Sequence, residues 1–257
     1  MDIDSAIKQF NNYTKDYINL NRLCILKVNH TIRVMNLCGE IAQSLNLSKE
    51  EIELAKLCGL LHDIGRFEQW KRYNTFVDIK SFDHGDLGVQ ILTDNNNCLL
   101  RKFVASDEYD SIVLTSIKYH NKYKIPLTLT GKEKMFLNIV RDADKIDILY
   151  LYIIGDIKLD INDETMSYKI FNYLLSREQI NREDLITKAD RLAISLGFLF
   201  DINYQKSFSI LKNNNYYNKE IDIYKKNTTN KELINQLEQI KDVINEYIDE
   251  RIDKNVR

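Results

Sequence analysis

Leu57-Cys-Gly-Leu-Leu-His-Asp-Ile-Gly-Arg-Phe67 is a run of apolar and small residues that closes on a histidine, an aspartate and a glycine. The apolar residues before it, Ile52 and Leu54, continue the three- and four-residue spacing through Leu57, Cys58 and Leu61, which predicts a helix with one buried face. Ser48 and Glu51 stand where an N-cap and its capping-box partner belong, and Leu47 is placed to staple onto Ile52. The helix delivers His62 and Asp63 near its inner end, and Gly65 permits a turn after them.

The same spacing recurs on both sides of this stretch. Upstream, Val34, Leu37, Cys38, Ile41 and Leu45 share one helical face, and His30 lies one turn before Val34 on that stripe. Downstream, Phe82 to Leu92 reads as a short helix with His84, Leu87, Gly88 and Ile91 on one side. From about Ser111, Val113, Ile117 and His120 fall at i, i+4 and i+7. Lys132 to Tyr152 is a long helix striped by Phe136, Ile139, Val140 and Ala143, with Asp144 one turn after Val140. Segments near 163–175, 183–198, 204–213 and 230–251 continue the pattern, the last with Leu233, Leu237, Ile240, Val243, Ile244 and Ile248 on a face that could meet the domain or a second subunit, a homodimer. Asn213 to Asn218 and Lys225 to Asn230 read as loops. With a single proline, Pro126, and eight glycines, the fold class is all-α.

The composition, 44% apolar over 257 residues, suits one large domain or one domain with a helical extension. Thirty-six basic residues against 38 acidic ones leave no field to recruit long nucleic acid or an anionic membrane, so a preference for phosphate must be local. No apolar run approaches the roughly 20 residues that span a bilayer, and the N-terminus lacks a signal-peptide pattern; a cytoplasmic protein is the expectation. Cys24, Cys38, Cys58 and Cys98 show no paired spacing and read as reduced core thiols.

All four histidines of the chain fall on core-facing positions of separate helices, one of them directly followed by an aspartate. A lone histidine on an apolar face is usually a satisfied core residue. Four together, with buried carboxylates, are costly unless they are hydrogen-bonded or hold a cation. Imidazoles mixed with carboxylates suit a divalent transition metal such as Mn, Fe, Co, Ni or Zn, with Mg also open.

His30, then His62-Asp63 within LCGLLHDIGRF, then Asp144 within RDADKIDIL, resembles the H…HD…D signature of HD-domain metal-dependent phosphohydrolases, and the longer strings HDIGRFEQ and YHNKYKI are similar to a bacterial branch of that superfamily. The resemblance implies an HD-domain helical bundle with a metal-binding core at about 26–150 and a C-terminal helical extension at 151–257, all within one domain, 1–257. It implies one ion on His30, His62, Asp63 and Asp144, with Asp63 bridging to a second ion on His84 and His120. A one-ion site, with His84 and His120 lining the substrate pocket, is the plainer alternative. Asp142 and Asp144 lie about 200° apart on a helix, and the resemblance favours Asp144.

The expected chemistry is hydrolysis of a nucleotide or other small phosphorylated molecule, phosphomonoester or phosphodiester, by a metal-activated hydroxide, with Asp63, His84 and His120 in the catalytic set. Arg66, Lys145 and Lys122 are the candidates to hold phosphate oxygens, although each could equally be a solvent-facing charge. Phe67 to Phe76 gathers aromatics, amides and cations that could stack a base, form a lid or merely connect. Two rival readings stand, of which the first shares the ligand set while the full set argues against the second. One is an HD-type diiron oxygenase resembling the myo-inositol oxygenase class; the other is a non-catalytic, nucleotide-binding regulatory module.

Overall fold

In the computed structural model, residues 2–19, 21–158 and 163–253 are described, and among them the regular structure is helical throughout. Of the expected 151–257 extension, residues 159–162 and 254–257 lie outside the described residues. The chain divides into two compact units, 1–144 and 145–257.

The first unit contains α1 (Ile3–Ile18), α2 (Arg22–Ser44), α3 (Lys49–Leu61), α4 (Ile64–Tyr73), α5 (His84–Asn97), α6 (Asp110–Tyr119) and the start of α7 (Gly131–Ile154). Helices α2 and α3 fold back on each other along most of their length. Gly59 makes that approach possible: a Cβ there would lie 2.8 Å from Cys38 Sγ and 3.0 Å from Met35 Cα. The Ser48–Glu51 capping box is present as read, with both reciprocal bonds formed. Helix α1, which has no counterpart in the sequence reading, buries Ala6 and Phe10. The Phe10 ring meets Phe67 of α4 edge to face, centroids 5.8 Å apart. Each such fully buried ring contributes on the order of 1.5–3 kcal/mol.

Gly65 does not turn the chain. The break falls at His62-Asp63, and Gly65 sits inside α4, where a Cβ would lie 2.2 Å from His84 O and 2.6 Å from Gly88 N. It is required by the close approach of α4 and α5. The segment Phe67 to Phe76 is accordingly mostly helix rather than connector, ending at Asn74 in the left-handed region (φ 53°).

The second unit holds the rest of α7, α8 (Tyr168–Leu175), α9 (Lys188–Gly197), α10 (Gln205–Asn214), α11 (Tyr216–Lys226) and α12 (Lys231–Asp253). Its α12 packs on α8, α10 and α11 with Leu233, Leu237, Ile240, Ile244 and Ile248 buried. The expected loop at Asn213–Asn218 is corrected: a single left-handed asparagine, Asn215 (φ 54°), joins α10 directly to α11. Asparagine tolerates that conformation, so a run that looks loop-like holds only one non-helical residue. The cysteine expectation is also corrected at one position, since Cys24, Cys38 and Cys58 are buried but Cys98 is exposed. No helix is long and apolar enough to cross a membrane among the described residues.

Candidate metal centre

Because α3 ends at Leu61 and α4 begins at Ile64, His62 and Asp63 fill a buried junction between two packed helices. Asp63 occupies the N-cap position of α4, yet its carboxylate caps no amide of that helix. It faces imidazoles instead. Its Oδ2 lies 3.6 Å from His30 Nε2 and 3.7 Å from His62 Nε2. Its Oδ1 lies 3.4 Å from His84 Nε2 and 3.8 Å from His120 Nε2. Asp144 Oδ1 completes the first side, 3.2 Å from His30 Nε2 and 3.6 Å from His62 Nε2. The structure thus gathers His30, His62, Asp63, His84, His120 and Asp144 into one cluster. Asp142 is fully buried and Asp144 is partly exposed, and it is Asp144 whose Oδ1 lies beside His30 and His62.

The hydrogen bonds behind the rings fix which nitrogen faces inward. His62 Nδ1 lies 2.7 Å from Gly59 O and His120 Nδ1 lies 2.7 Å from Ile117 O; a carbonyl only accepts, so both Nδ1 atoms carry the proton. His84 Nδ1 donates in the same way to Asp78 Oδ2 at 2.7 Å. The Nε2 atoms of His62, His84 and His120 are then left with lone pairs pointing into the cluster, where those of His84 and His120 lie 2.9 Å apart and that of His62 lies 3.3 Å from His30 Nε2. Lone pairs held this close need a cation or a proton between them. Burial holds His84 below the usual imidazole pKa and His120 well below it, which makes protons poor candidates for the task. A divalent ion fits this donor set. His30, His62 and Asp144, and likewise His62, Asp63 and His120, present ligand atoms within 4.8 Å of one another and could hold one.

The carboxylates are poised for the same role. Burial acts to raise the Asp63 pKa, but Lys27, His62, Arg66 and His84 bring it well below the usual carboxylate range. Burial likewise opposes ionisation of Asp144, and hydrogen bonding to His30, with the neighbouring His62 imidazole, overrides it.

Outside the ligand shell the cations sort differently from the sequence expectation. Arg66 reaches Asp63 Oδ1 with Nε at 3.5 Å, while its NH1 donates to Gln69 Oε1 (2.8 Å), Phe76 O (2.6 Å) and Asp78 Oδ1 (2.7 Å). It braces the segment that carries Asp78. Lys122 pairs with Asp83 and Asp86 at 2.7 and 2.8 Å, and Lys145 with Asp201 at 2.7 Å. Arg141 donates through NH1 to the carbonyls of Tyr119, His120 and Lys122 and so caps the end of α6 on which His120 sits. Besides Arg66, a cation that the sequence reading passed over meets the ligand cluster: Lys27 Nζ lies 2.7 Å from Asp63 Oδ2. Its position three residues before His30, on the same helical face, was the available signal. Asp78 and the fully buried Gln69 were also missed; Asp78 opens a single 3-10 turn, Asp78–Lys80, too short for periodicity to show.

No curated protein and no solved structure matches this chain. The family model for the HD domain matches residues 28–194, well over half of the sequence and a span that contains every member of the buried imidazole–carboxylate cluster. The chain belongs to the HD-domain family.

Proposed function

We propose that this protein is a metal-dependent phosphohydrolase acting on a nucleotide or another small phosphorylated molecule, with ions held on the two sides of Asp63. The observation that carries this reading is the orientation of one carboxylate: Oδ2 faces His30 and His62 while Oδ1 faces His84 and His120. His30, His62, Asp63 and Asp144 would hold one divalent ion, and Asp63, His84 and His120 a second. When bound, such ions supply a Lewis acid and a water of lowered pKa.

The protein's own residues prepare the site. The backbone carbonyls of Gly59 and Ile117 lock the His62 and His120 tautomers, and Asp78 locks that of His84. With every histidine of the chain committed to the cluster, proton transfer to a leaving group falls to carboxylates or water.

The test is anaerobic phosphate release from a panel of phosphomonoesters and phosphodiesters by protein loaded with manganese or cobalt, alongside metal analysis of His62→Ala and Asp63→Ala. Both variants are expected to lose metal and turnover together. Turnover that persists in either would refute the reading, as would iron-dependent oxygen consumption without phosphate release.

A further inference from the structure

The way the cations near the cluster are spent narrows the class of substrate. Arg66, whose Nε also faces Asp63 Oδ1 at 3.5 Å, is held through NH1 by Asp78, Phe76 O and Gln69. Lys122 lies between Asp83 and Asp86, Arg141 caps α6, and Lys145 faces Asp201. Drawing any of these to a phosphate would strand the carboxylate or carbonyl it now satisfies, and that loss offsets the gain.

Lys27 differs in that, among the described residues, no partner outside the cluster is left stranded when it moves. Its partner, Asp63 Oδ2, belongs to the cluster itself, so an ion bound there would supply the same neutralisation and leave the ammonium for a ligand. Its side chain is 24% exposed. Its Nζ also lies 6.0 Å from the centroid of the Phe76 ring, which Trp70 backs at 5.0 Å. Phe76 opens a stretch whose other apolar side chains, Val77, Ile79 and Phe82, are exposed, Ile79 to 95%. Exposed apolar side chains grouped beside a buried polar cluster mark a surface that meets a ligand.

Resting on the phosphohydrolase reading, we propose that the substrate carries a single phosphate on an apolar or aromatic body, with Lys27 taking the non-reacting phosphate oxygens and Phe76 the body. A polyphosphate would bring further negative charge to a rim that already holds three carboxylates against two cations, Asp78 with Arg66 and Asp83 and Asp86 sharing Lys122.

Calorimetric titration of the full-length, manganese-loaded protein with three non-hydrolysable probes tests this, with metal in excess over probe. Benzylphosphonate is expected to bind about tenfold tighter than methylphosphonate and than imidotriphosphate. Lys27→Met should weaken benzylphosphonate about tenfold while the manganese stoichiometry is unchanged, and Lys27→Arg should restore it. Phe76→Ser should erase the difference between benzyl- and methylphosphonate. Imidotriphosphate binding as tightly as benzylphosphonate would overturn the assignment, and so would indifference to Lys27→Met or failure of all three probes to bind. If the probes bind in the expected order but no ester is hydrolysed, the reaction assigned above is wrong and the ligand class stands.

Discussion

Each compact unit of this chain buries carboxyl groups, and the two units treat them oppositely. In the first, Asp63 and Asp144 are surrounded by imidazoles and cations, and their pKa values are driven well below the usual range despite burial. In the second, Glu220 of α11 is fully buried with hydroxyls for company. Ser195 Oγ and Tyr224 OH both bond to its Oε1, and its Oε2 has no hydrogen-bond partner. Burial pushes this carboxyl up to about 7, against the weaker pull of the two hydroxyls. Depth alone therefore does not decide whether a buried acid is charged; the neighbours do. A carboxylate held ionised in the interior is ready to meet a cation, whereas one held near neutral is part of the core.

The sharpest way to break the comparison is at Asp63. Asp63→Asn keeps the shape and removes the charge shared by the two imidazole pairs, so metal retained after dialysis and phosphate release should both fall to background. Retention of either would mean that the charge is not what the cluster requires.

The next effect should come from Glu220, with the opposite pH sign. Its folded pKa is raised, so its contribution to stability is complete below the ordinary glutamate value near 4.5, is lost as pH rises towards about 7, and levels off above that. The full span is about 3 kcal/mol, and Glu220→Gln should remove it, leaving a variant whose unfolding midpoint is flatter than wild type between pH 5 and 8. Identical pH profiles for the two proteins would place the charge of Glu220 outside the stability of that unit. For Asp63 and Asp144 in metal-free protein the loss should come on the acid side, as pH falls through their depressed values.

A smaller loss is expected from Asp78→Asn, which leaves the ligands in place but weakens the bond that orients His84. Metal titration should show the ion on the His84 and His120 side losing about 10- to 100-fold in affinity. Two sites of unchanged affinity would show that Asp78 does not orient the ring. Ser48→Ala, at a cap remote from both buried acids, should cost about 1 kcal/mol at every pH and leave metal binding untouched.

Ser48 also shows what was legible in the sequence. A cap is a local device, and its two partners lie three residues apart, so the start of α3 can be read directly. The histidines were legible because each shares a helical face with core residues, and the family signature supplied the step from separate faces to one cluster. Other parts of the site depend on chain folding back from elsewhere. Asp78 meets His84 from a lone 3-10 turn, and Arg66 turns towards Asp78 and Phe76 O, so a residue expected to hold phosphate is used to hold the protein. Glu220 was invisible for a similar reason: Ser195 lies 25 residues away on another helix. Helices α1 and α11 were missed because asparagine- and lysine-rich sequence hides their buried faces.

The contact at Gly65 gives the centre a fixed gauge. There the main chain of α4 rests against His84 O and Gly88 N, so the distance between the His62-Asp63 junction and His84 is set by backbone touching backbone. Substitutions among the surrounding side chains can alter how tightly ions are held without altering how far apart the two halves of the cluster stand. An ion too large for that spacing could enter only by prying two packed helices apart, so the protein would select among divalent metals by radius as well as by ligand chemistry.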